Sequence, residues 1–113
     1  MLEVQMNRWG IPKEVQTLVK KRDKKCVYCG RIMRARPHAR GVPRDKVTVE
    51  HINNDDRDNQ AWNVALCCGG CNTSKGAKQP SDWFQSDYCE RNNINERTVA
   101  PVVRNWLKNH RSW

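Results

Sequence analysis

The chain has one phenylalanine and two tyrosines, and no apolar run approaches the ~20 residues that a membrane-spanning helix needs. No lysine-rich amphipathic stretch with a continuous apolar face is present either, so a membrane-surface role is also disfavoured. Internal repeats, low-complexity tracts and linker-like segments are missing. One domain over residues 1–113 is therefore expected, small enough for its core to gain from a metal staple. Acidic residues are scarce beside basic ones, 12 against 21, and the formal charge of +9 points to a polyanionic partner, nucleic acid foremost. Met1 to Gly10 carries polar and charged groups where an export signal would be apolar. With six cysteines and no such signal, a cytoplasmic or other reducing intracellular compartment is expected, one in which CxxC pairs bind metal rather than form disulfides.

Four of those cysteines form two pairs, Cys26/Cys29 and Cys68/Cys71. Four thiolates in tetrahedral geometry close the coordination sphere of zinc, which makes this a scaffold site and not a catalytic one. Cys67 and Cys89 fit no four-ligand scheme and read as buried small hydrophobes.

Along the chain, Ile11-Pro12 opens a helix ending near Asp23, and Cys26 to Gly30 reads as a zinc knuckle. Arg31, Arg34, Arg36, Arg40, Arg44 and Lys46, interrupted by Pro37, Gly41 and Pro43, read as an irregular basic arm. Residues 47–52 and 62–66 have the β-branched content of two strands, an antiparallel pair joined by the polar loop Asn53 to Gln60. Asp55, Asp56 and Asp58 in that loop lack the glycine and distal glutamate of a calcium site. A short helix over 72–78 should stop at Pro80, another should run from Ser81 or Asp82 to Cys89 or Arg91, and Val99, Val102, Val103, Trp106 and Leu107 stripe a last one. Trp62, Trp83 and Trp106 are expected in the core, whereas Trp9 and Trp113 lie near the termini; His38 and His110 read as surface residues.

The dipeptide Glu50-His51 between the cysteine pairs suggests chemistry. Imidazole is the side chain that changes protonation near neutral pH, so the pair offers a base beside a carboxylate. Glu50-His51, then Asn63, then Cys68 through Gly76, led by Lys21-Arg22-Asp23 and the first knuckle, resembles the HNH endonuclease motif in its four-cysteine zinc-binding subclass. The resemblance spans about residues 12–78, with a helical extension over about 81–111. It implies an α+β, zinc-stapled ββα-metal (HNH) core with flanking N- and C-terminal helices, and a metal-dependent DNA endonuclease. In that family His51 would activate water, Asn63 would fix the loop and hold the His51 ring through backbone hydrogen bonds, and Glu50 and Asn72 would bind Mg²⁺ or Mn²⁺, with structural Zn²⁺ on the four cysteines.

Many relatives carry aspartate where Glu50 stands and histidine where Asn72 stands, and the loss of nitrogen donors here favours Mg²⁺ over Zn²⁺ or Ni²⁺ at the second site. Lys75, one helical turn beyond Asn72, and Arg57 are candidate phosphate contacts, joined by the arginines of the basic arm. The expected partner is double-stranded DNA. One such site cuts one strand, so a double-strand break requires a homodimer, a second binding event or sequential nicks. The alternative from another class is a noncatalytic zinc-stabilised module that binds nucleic acid.

Overall fold

The computed structural model describes residues 4–37 and 41–110; His38, Arg40 and Trp113 lie outside them. Strands β1 (Val47–His51) and β2 (Val64–Cys68) pair antiparallel, Val47 opposite Cys68 and His51 opposite Val64. Valines at 47, 49 and 64 suit the pleat. Every residue of β2 is buried, because protein covers both faces of this small sheet.

Helix α1 (Lys13–Arg22) follows Pro12 and ends in Lys20, Lys21 and Arg22, cations that suit the negative end of its dipole. It is riveted to β2 by polar bonds. The Arg22 guanidinium donates to the carbonyls of Ala61 (2.9 Å) and Val64 (2.7 Å), and Asp23, itself clamped by Arg22, accepts from Leu66 N–H at 3.0 Å.

Helix α2 (Gly69–Lys75) leaves β2 with no intervening loop. Cys68 caps it, its Sγ accepting from Cys71 N–H, and Gly76, at a positive φ of 52°, ends it. It therefore begins three residues before the expected start. Pro80 does not stop a helix; it opens α3 (Pro80–Trp83) as first residue, where a missing N–H costs nothing. The single helix expected over 81–91 is two short pieces, since Ser86 breaks the run and caps α4 (Asp87–Arg91) through its hydroxyl. Helix α5 (Pro101–Asn109) buries Val103, Trp106 and Leu107, as the stripe predicts. The described residues thus make a small α+β structure of a two-stranded sheet and five α-helices.

Two expectations are corrected. Trp83 and Trp106 enter the core, but Trp62 is 44% exposed and stacks on His110, ring centroids 5.1 Å apart. The basic segment is not a loose arm: Met33 is buried, Arg34 N–H donates to Asp45 O, and Val47 N–H donates to Arg34 O. The carbonyls of Arg44 and Lys46 then receive the first N–H groups of α2, from Gly70 and Gly69. Among the described residues no helix is long and apolar enough to cross a membrane.

Candidate functional site

Cys26 and Cys29 stand on a tight knuckle in which Cys26 N–H donates to Arg31 O and Gly30 adopts the left-handed φ of 78°. Val27 N–H donates to Leu66 O, docking the knuckle on β2, whose end supplies Cys68 while the first turn of α2 supplies Cys71. All four Sγ atoms lie within 4.8 Å of one another. Zinc–sulfur bonds of about 2.3 Å imply sulfur–sulfur edges of about 3.8 Å, and Cys29 and Cys68 are 3.7 Å apart. The donor set fits a four-thiolate metal site, zinc being the best match.

Thiols this close share protons. Hydrogen bonding among the four sulfurs holds Cys26 and Cys71 well above the ordinary thiol range; it favours the thiolate of Cys29 and brings Cys68 down to about 7. Two further side chains face the cluster. Tyr88 Oη lies 3.4 Å from Cys71 Sγ. Beside Cys68 and Cys29 sits Arg31, where burial opposes its charge but the sulfurs outweigh burial and raise its affinity for the proton. Arg31, expected to touch DNA, thus faces the cysteine cluster.

The second constellation is built around the end of β1. Glu50 and His51 are both buried, although alternation sends them to opposite faces, because each face meets a different partner. Glu50 Oε2 accepts from Tyr28 Oη at 2.7 Å and pairs with Lys75 Nζ at 3.2 Å. Burial pushes this carboxyl up, against the pull of the Lys75 charge and the Tyr28 hydrogen bond. Lys75 is fully buried and also donates to Asn54 Oδ1 at 2.7 Å. It is therefore an internal counter-ion and not the phosphate contact expected from its place one turn after Asn72.

His51 meets the other side of the molecule. Its Nε2 lies 2.8 Å from Asn59 Oδ1, and its ring sits 6.1 Å from that of Trp9. The Asn63 side chain makes no hydrogen bond to the imidazole. Fully buried, it organises the loop after β1: its Oδ1 accepts from Asn53 N–H, and its Nδ2 donates to Asn53 Oδ1 and Asp58 O. Glu50 and His51 share one solvent-open cavity of about 210 Å³ with Asn54 and Asp56.

No family model, curated protein or solved structure matches this chain. The site therefore has to be read from its own geometry.

Asn72 lines a separate cavity of about 400 Å³, together with Arg8, Arg36 and Lys46. Thr48 Oγ1 donates its own hydrogen to Cys67 O, so it accepts from Asn72 Nδ2 at 2.9 Å, and the Asn72 amide oxygen turns away from β1. Glu50 and Asn72 are oxygen donors suited to a hard cation, but in this conformation they open on different cavities. Of the other basic candidates, Arg57 is exposed, its side chain leaning on Asp55. Arg34 and Arg44 are exposed, while Arg36 is clamped by Asp45 through two bonds of 2.8 and 2.9 Å. Sequence reasoning missed Tyr28, Asn54 and Asn59. Tyr28 lies inside the first CxxC and the two asparagines lie in the polar loop, but their partners are distant in sequence.

Proposed function

We propose that this protein is a metal-dependent DNA endonuclease of the HNH type, hydrolysing phosphodiester bonds at the cavity shared by Glu50 and His51. The observation that carries the reading is that Glu50 and His51 both line one open cavity at the end of β1, beside a helix tethered by a four-cysteine cluster. His51 takes a proton from the water that attacks phosphorus. Asn63 holds the loop that forms the rim of the cavity through Asn53 and Asp58. Glu50 is the residue that would hold a hard divalent cation here, Mg²⁺ or Mn²⁺, with Asn72 the further oxygen donor that the family resemblance implies. When bound, such an ion neutralises charge on the phosphate and leaving oxygen. The excess of basic residues and the exposed Arg34, Arg44 and Arg57 suit a phosphate backbone.

A second reading has its own observation. Lys75 already neutralises Glu50, and Asn72 faces another cavity, an arrangement that a noncatalytic zinc module binding nucleic acid would tolerate. Supercoiled plasmid incubated with the parent protein or His51→Ala, in Mg²⁺, Mn²⁺ or EDTA, separates the two. Nicked or linear product is expected only from the parent with metal, with a loss of about 10²- to 10⁴-fold in His51→Ala. Equal cleavage by a folded His51→Ala protein would overturn the catalytic role. Equal DNA binding by both proteins, with cleavage by neither, would establish the noncatalytic module.

A further inference from the structure

Asn59 bridges two elements far apart in sequence. Its Nδ2 lies 2.8 Å from the carbonyl oxygen of Trp9, and its Oδ1 lies 2.8 Å from Nε2 of His51. A backbone carbonyl can only accept, so the amide atom facing Trp9 must be the NH₂ group. That settles the orientation of the amide without reference to the histidine. The atom facing His51 is then an amide oxygen, which also can only accept, so the hydrogen in the second bond belongs to Nε2. In a neutral imidazole the other nitrogen is bare.

The carbonyl that starts this chain of bonds is itself held in place. Trp9 ends a 3-10 turn over Asn7–Trp9, closed by left-handed Gly10, whose N–H donates to Asn7 O at 2.9 Å. Gln16 on α1 grips the same turn, its Nε2 donating to Asn7 Oδ1 (2.9 Å) and Ile11 O (2.8 Å). Met6 and Ile11 on either side are buried. The N-terminal segment in this way holds Asn59, and through it His51, in place.

We infer that Asn59, anchored by the Trp9 carbonyl, is a positioning residue that fixes His51 as the Nε2–H tautomer and presents Nδ1 as its proton-accepting nitrogen. The effect on turnover rests on the nuclease reading; the tautomer does not. Long-range ¹H–¹⁵N spectra of histidine-labelled protein distinguish protonated from bare ring nitrogens, and the spectrum of His51→Ala assigns His51 among the three histidines. At a pH where His51 is neutral, the parent should carry its proton on Nε2. Asn59→Ala should mix the two tautomers and lower kcat for plasmid nicking about 10- to 100-fold, with KM for DNA little changed. Asn59→Asp keeps an acceptor opposite Nε2 but loses the N–H that the Trp9 carbonyl receives, so it should retain the parent tautomer and recover part of the lost rate.

A parent with the proton on Nδ1, or a tautomer indifferent to Asn59→Ala, overturns the inference. Metal-dependent cleavage that needs His51 but ignores Asn59→Ala removes the kinetic role of Asn59 and leaves the nuclease reading intact. The expected tautomer response without cleavage by the parent does the reverse. If Asn59→Ala does not fold, the parent and Asn59→Asp spectra still decide the tautomer.

Discussion

A buried ammonium needs a partner far more than a surface one does, and Lys75 has two, Glu50 and Asn54. Replacing it with methionine leaves the buried Glu50 carboxylate with only its Tyr28 hydrogen bond. Lys75→Met should therefore lower the unfolding free energy by about 3–5 kcal/mol in urea titrations. A solvated lysine would change stability by no more than about 0.5 kcal/mol, and a result in that range would contradict the buried ion pair. The residue types and spacing that mark Glu50, His51 and Asn63 are visible in the sequence. The partners of these residues are not: Tyr28 is 22 positions from Glu50, and Trp9 is 50 positions from the Asn59 amide it orients.

Helix α2 carries Cys71, Asn72 and Lys75, so its placement sets both constellations. Its first turn is pressed against the end of the basic segment. A Cβ at Gly69 would collide with the Pro43 carbonyl and the Val42 side chain. At Gly70 a Cβ would meet Tyr88 Oη at 3.0 Å, a side chain able to give way. Gly69→Ala should accordingly destabilise by about 1–3 kcal/mol, despite alanine's better helix propensity, and by more than Gly70→Ala. Chemical denaturation of the two variants checks the order. The same packing explains why the helix starts earlier than its sequence suggests: Cys68 acts as a cap, and the Arg44 and Lys46 carbonyls accept the first N–H groups. None of these is a standard capping signal in the linear chain.

For the whole molecule, the four-cysteine cluster is the point where the knuckle, β2 and α2 meet. Zinc bound there should contribute directly to folding. A strong chelator, or Cys29→Ser, should lower zinc content and the thermal midpoint together, measured by metal analysis and calorimetry. Unchanged zinc stoichiometry in Cys29→Ser would reject that ligand set. Coordination requires thiolates, and Cys26 and Cys71 hold their protons most tightly, so protons compete with the metal increasingly as pH falls. Zinc retention in a chelator competition should therefore decline on acidification and not on mild alkalinisation.

Local rules were enough to reveal the two CxxC pairs, the antiparallel strands, helix α1, the α5 stripe and the acid–histidine dipeptide, because each is written within a few consecutive residues. Tertiary structure decided what those residues face. It turned Lys75 inward onto Glu50, set Arg31 beside the sulfurs, opened Asn72 on a different cavity from Glu50, and aimed Asn59 at His51. Each of these arrangements depends on burial and on hydrogen bonds between distant segments, and a desolvated polar group takes whichever partner the folded chain brings near it.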